Sequence, residues 1–187
     1  WFENQTEERS FYYPNKFLGD VVCAWLLGEI SGEPSGMVAG VMREAAAWWL
    51  QHSWGWGEHM SDVYCPVCLD EISLLLLMSR ALPADLHRTY RKLLAGLLAI
   101  EDAYGDAPRV PAIRNYSFLA APTRLPYRRT IAPLAEPPPL AETGNMPCLG
   151  PLFYEMGWER LAPGRDPVRR HISISCYGST HAHAWIA

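Results

Sequence analysis

Cys65-Pro66-Val67-Cys68-Leu69-Asp70-Glu71-Ile72-Ser73-Leu74-Leu75-Leu76-Leu77-Met78 reads as the central helix of a helical protein. Pro66 suits the first helical position, where a missing N–H costs nothing, and Cys65 stands as its cap. The helix is expected to run to about residue 80. Its 74–78 run is apolar all round, which predicts deep burial. Upstream, Phe17, Leu18, Val21, Val22, Trp25, Leu26 and Ile30 recur near helical spacing and predict a helix over about 15–30. Ser31-Gly32-Glu33-Pro34 stops it. A second helix is predicted over about 35–51, with Met37, Val38, Val41, Met42, Ala45, Trp48 and Trp49 on its apolar side. Downstream, a fourth is predicted over about 84–104, capped near Asp85. Short loops between these helices favour antiparallel hairpins.

Prolines divide the chain. Twelve of the 16 lie between Pro108 and Pro167, and the other four fall at expected helix starts or turns. Residues 1–120 therefore read as a helical region. Residues 121–167 read as a Pro-rich linker with one short helix near 152–161, and Glu136-Pro137-Pro138-Pro139 is extended. Residues 168–187 read as a β-hairpin, because His171-Ile172-Ser173-Ile174-Ser175-Cys176 and His181-Ala182-His183-Ala184-Trp185-Ile186 both alternate with period two. An isolated hairpin is marginal in water, so its sheet is expected to be completed by a further C-terminal β region or by another chain. The predicted fold class is mainly α, with helical hairpins and a short C-terminal β-hairpin.

The chain has 187 residues, 49% of them apolar and 19% charged, which supports a packed core rather than a disordered chain. The net charge of −4 argues against a nucleic-acid partner. No apolar run is long enough to span a bilayer, so no membrane partner is expected. No basic segment followed by an apolar run opens the sequence, and any targeting peptide is expected to be absent or removed. The compartment stays open, with an extracellular or periplasmic one slightly favoured. Five cysteines, an odd number, do not suit a dense disulfide framework. Eight Trp among 187 residues suit sugar or planar ligands as well as cores.

The chemistry-bearing residues gather in two segments. In Trp54-Gly55-Trp56-Gly57-Glu58-His59-Met60-Ser61-Asp62, a Gly- and Trp-rich loop feeds acids and an imidazole into the start of the central helix. Arg114-Asn115-Tyr116 follows one helical hairpin later, so the chain can return to the same end of the bundle. A His, a Tyr and an acid beside Trp rings make a site shaped for a sugar. β-Elimination on a uronic acid needs one group to share a proton with the carboxylate, a base for the C5 proton and an acid for the leaving oxygen. Tyr and His fill the base and acid roles. The plainer alternative makes His59 a helix cap and Tyr116 a half-buried core phenol.

The run from Trp48 to Asp62, the apolar helix after it, and Arg109-Val110-Pro111-Ala112-Ile113-Arg114-Asn115-Tyr116 resemble the heparinase II/III-like polysaccharide lyases over about residues 35–120. The resemblance implies an (α/α) toroid followed by a β-sandwich. It implies His59 and Tyr116 as the catalytic pair, with Glu58 at the position that neutralises the carboxylate. Asn115 would assist Glu58. Read from the residues themselves, Trp54 and Trp56, flanked by Gly, are candidates for sugar stacking and Arg114 for substrate binding; the substrate expected is an acidic polysaccharide or oligosaccharide, without cofactor or metal. A full toroid has more helices than are read here, so the chain is expected to be a part or a shortened relative of such a protein, and a homo-oligomer is a further expectation. Two functions outside catalysis on glycans remain beside it: a non-catalytic fragment that binds a glycan or protein, and the same scaffold reused on a small metabolite.

Other groups are blander. Cys65 and Cys68 at a helix start fit a dithiol site, but the strand alternation of dithiol folds is lacking, and burial as small apolar residues is favoured. His52, His59, Cys65 and Cys68 could surround zinc, though their spacing matches no finger pattern. His181 and His183 share one strand face and are expected to be solvated. Arg128-Arg129 and Arg169-Arg170 read as solvated charge pairs.

Overall fold

Helix α1 (Pro14–Ser31) begins with Pro14 in its first turn, where the fixed φ suits the helix. It buries Phe17, Leu18, Val21, Val22 and Trp25. Gly32 ends it at φ 78°, a left-handed conformation that an L side chain resists. The Gly32 N–H donates to the Glu29 carbonyl (3.2 Å) and the Glu33 N–H to the Gly28 carbonyl (2.8 Å), the paired bonds of a Schellman cap. Helix α2 (Gly36–Gln51) follows and buries Val38, Ala39, Val41, Met42, Ala45, Ala46, Trp48 and Trp49. The computed structural model describes residues 11, 13–51, 64–104, 125–138, 149–164, 171–176 and 180–185.

Helices α3 (Tyr64–Met78) and α4 (Ala84–Tyr104) make the second hairpin. Cys65, expected as a cap, lies inside α3 and is buried. The 74–78 run is less buried than its composition predicts. Leu75 and Leu76 are buried, Leu74 and Leu77 are half-buried, and Met78 is 47% exposed. The cause is geometric: α3 packs mainly on α1 and α4, which leaves part of its circumference uncovered. The chain is mainly helical among the described residues. Beyond α4 lie a single turn, α5 (Tyr127–Thr130), a short α6 (Gly150–Glu155) and a 3-10 turn (Trp158–Arg160). Strands β1 (His171–Cys176) and β2 (Thr180–Trp185) pair antiparallel, with His171 opposite Trp185 and Cys176 opposite Thr180.

Cross-links fix how the helices run. Near the start of α1, a Cβ on Gly19 would stand 2.8 Å from Glu71 Oε1 of α3. Near its end, Trp25 Nε1 donates to Ser79 Oγ at 2.9 Å. Helices α1 and α3 are therefore side by side and run the same way, and Gly19 leaves room for the Glu71 carboxyl. Glu29 closes the far end. Its carboxylate accepts the Ser79 hydroxyl, the Arg80 N–H (2.9 Å), the Ala81 N–H (3.1 Å) and Trp25 Nε1 (2.6 Å). Burial opposes its charge, but these four donors outweigh it and hold the group below the usual carboxylate range. Arg43 of α2 grips Asp85 at the start of α4 (2.7 Å).

The core of the described residues is aromatic at the end where α2 stops. Trp49 is fully buried, its ring edge-on to Phe17 (5.7 Å between centroids) and Phe11 (6.4 Å). Its Nε1 donates to the Phe11 carbonyl at 2.8 Å. Trp49→Ala is expected to cost about 4 kcal/mol, from the cavity and the orphaned carbonyl together. Urea denaturation followed by circular dichroism measures it, and a cost below about 1 kcal/mol would contradict this packing.

Candidate functional site

Glu58, His59, Trp54, Trp56, Arg114, Asn115 and Tyr116 all lie outside the described residues, as do His52, Arg169 and Arg170. What the structure gives is the frame on which their segments are hung. Residues 52–63 connect Gln51, the end of α2, to Tyr64, the start of α3. Residues 105–124 connect Tyr104, the end of α4, to Leu125 just before α5. All these anchor points lie at one end of the bundle. Phe17 and Gly19 of α1 join the last turn of α2 to the first half of α3 through Trp49 and Glu71. Tyr127 of α5 joins that same half of α3 to the last turn of α4.

The Tyr127 junction is built from several bonds. Its hydroxyl donates to Asp70 Oδ1 at 2.7 Å, and its N–H donates to Glu101 Oε2 at 3.3 Å. Asp70 also accepts the Leu149 N–H, at the mouth of α6. The Tyr127 ring lies edge-on to Trp158 (5.9 Å), whose Nε1 donates to Ser73 Oγ at 2.8 Å. Ser73, Glu101, Tyr127 and Trp158 are all buried, so every polar atom named here is spent on a partner rather than on solvent. With Tyr127 only 3% exposed, its phenol holds elements together and cannot reach a polysaccharide.

Beside this junction, three carboxyl groups crowd the α1–α3 seam. Burial pushes Glu71 up to about 9, helped by the charges of Asp70 and Asp20. Burial pushes Asp70 up to about 7, against the Tyr127 and Leu149 donors, which favour its charge. Burial also raises Asp20, opposed by nearby Lys16. Asp20 Oδ2 and Glu71 Oε2 are buried without a hydrogen-bond partner. At neutral pH Glu71 is a neutral acid. Among the described residues no group of three or more His, Cys, Asp or Glu is arranged to hold a metal ion.

No protein-family model, curated protein or solved structure matches the chain.

Arg128 corrects the expectation of a solvated charge. It clasps Asp102 of α4 through Nε (2.8 and 3.1 Å) and Nη2 (3.0 Å), and Nη2 also donates to the Pro163 carbonyl at 2.8 Å. Its guanidinium lies 5.8 Å from the Trp158 ring centre. Arg128, Trp158 and Pro163, together with Ile131, Glu159 and Ala162, line an open cleft of about 300 Å³. Arg128→Ala is expected to cost about 2 kcal/mol, because the half-buried Asp102 loses its partner, and Arg128→Lys should recover only part of it. Thermal melts of the two variants distinguish this from a solvated arginine, whose loss would move neither.

Cys65 and Cys68 are buried thiols, and burial pushes Cys68 well up from its ordinary value, which suits packing rather than redox exchange. Among the described residues no helix is long and apolar enough to cross a membrane. Asp70, Glu71, Ser73, Tyr127 and Trp158 went unremarked as site residues in the sequence. One signal was available: Asp70 and Glu71 interrupt a helix that is otherwise almost wholly apolar, and acids rarely lie on such a surface unless paired or neutral.

Proposed function

We propose that the chain is the helical part of a polysaccharide lyase that carries out β-elimination on a uronate-containing glycan. Its four long helices would be two hairpins of an (α/α) toroid, and β1 and β2 the entry into the sheet that follows. The observation that carries this reading is the common end of the bundle from which both chemistry-bearing segments depart. Two segments far apart in sequence share one set of anchors, as a two-residue proton relay requires. The resemblance of the runs around His59 and Tyr116 to the heparinase II/III-like lyases supplies the roles.

In that mechanism Glu58, with Asn115, shares a proton with the substrate carboxylate and acidifies the C5–H. Tyr116 and His59 act as proton partners. One of them takes the C5 proton, the C5–H electron pair forms the C4=C5 double bond, and the C4–O bond breaks. The other protonates the departing glycosidic oxygen. Trp54 and Trp56 would stack on sugar rings, and Arg114 would meet an acidic group.

The test incubates the protein with alginate, heparan and other polyuronates and follows the ultraviolet absorbance of the unsaturated product. Product from at least one of them is the expected result. No product from any of them defeats the lyase reading, and glycan binding without product points instead to a non-catalytic binding module.

A further inference from the structure

The bonds around Tyr127 have a use within that reaction, and the inference drawn from them rests on the lyase reading. We propose that Asp70 is a positioning residue: through Tyr127 and Leu149 it clamps α5 and the mouth of α6 to the first half of α3, and so fixes where the chain comes back after leaving α4. The geometry carries this. Residues 105–124 begin at α4 and end three residues before Tyr127, so their far end is held where Tyr127 is held. Tyr127 is fixed at both ends: its hydroxyl on Asp70 of α3 (2.7 Å) and its N–H on Glu101 of α4 (3.3 Å). Arg128, the next residue, is fixed on Asp102 of α4 (2.8 Å). Trp158, packed on the Tyr127 ring, is fixed on Ser73 of α3 (2.8 Å). Asp70 and Ser73 are three apart, on one face of α3. This single helix face thus receives both the α5 turn and the 3-10 turn.

A hydrogen bond from a phenol to a buried carboxyl is directional, so losing it frees the α5 turn to shift relative to α3 without emptying the core. In the elimination, a shift of an ångström between Tyr116 and His59 would slow proton transfer more than it weakens sugar binding. Loss of the clamp is therefore read in kcat rather than in KM.

The experiment compares Tyr127→Phe with the parent by hydrogen–deuterium exchange mass spectrometry and by the lyase assay, at a temperature where circular dichroism shows both fully folded. Peptides covering 125–130 should exchange about tenfold faster in the variant, and kcat should fall at least tenfold with KM little changed. Asp70→Ala should reproduce both effects, and Asp70→Asn, which keeps an acceptor for the phenol, should lessen them. Unchanged exchange in Tyr127→Phe overturns the clamp. Faster exchange with an unchanged kcat overturns the positioning role. Faster exchange in a protein whose parent turns over no uronate upholds the clamp and defeats the lyase reading.

Discussion

Tyr116→Phe and His59→Ala should each lower the rate of unsaturated-product release by about 10²- to 10⁴-fold, the usual worth of a positioned acid or base. Phe keeps the ring and its stacking but has no proton to give or take, so sugar binding should persist and KM should change little. His59→Ala removes the partner of the same relay. The two losses should therefore not multiply: the double variant is expected to be about as slow as the slower single one, because groups that act as a unit fail as a unit. Glu58→Gln separates a third role. An amide can still donate a hydrogen bond to the substrate carboxylate but cannot share its proton, so a smaller loss is expected than for either relay member. Progress curves on the best polyuronate substrate, with far-ultraviolet circular dichroism to certify folding, measure all four. Wild-type rates in both Tyr116→Phe and His59→Ala would remove these residues from the chemistry.

The long helices were legible because their signals are local. Apolar positions at 3.6-residue spacing, Pro14 at a start and Gly32 at a stop need no knowledge of the rest of the chain, and α1, α2 and α4 fall within two residues of the bounds that spacing predicts. Burial was less legible. The 74–78 run looks identical all round, and only the neighbours of α3 decide that Leu75 is covered and Met78 is not. The junction at Tyr127 was not legible at all. Asp70 and Tyr127 are 57 residues apart and Ser73 and Trp158 are 85 apart, and no periodicity links them. Arg128 looked like half of a solvated pair because a charge pair carries no mark of its partner, and Asp102 lies 26 residues upstream. The residues assigned chemistry from sequence alone, Glu58, His59 and Tyr116 among them, lie outside the described residues, in segments anchored at Gln51, Tyr64, Tyr104 and Leu125.

The second large effect lies in the acid crowd of the α1–α3 seam, and its sign follows from proton counting. Glu71 holds its proton up to about pH 9 in the folded chain, against an ordinary value of 4.5. Between those values the folded state binds one more proton than the unfolded state, so stability is greatest at the acid end and falls as pH rises. Asp70, displaced from 3.8 to about 7, acts in the same direction over a lower window. Unfolding free energy should thus decline from about pH 5 to pH 9, with Glu71 the main source of the upper part of the fall. Each unit of displacement is worth about 1.4 kcal/mol, so the loss amounts to several kcal/mol, comparable with the whole stability of a marginal domain. Glu71→Gln keeps the shape and stays neutral. At pH 5 it should stand within about 1 kcal/mol of the parent, whereas at pH 9 it should be several kcal/mol more stable, because the unfolded parent ionises freely there while the folded chain would have to hold the ion beside Asp70 and Asp20 with Oε2 unpartnered. Urea midpoints at pH 5, 7 and 9 measure the slope, and a parent whose stability is level or rising from pH 5 to 9 would mean that Glu71 meets water rather than the seam.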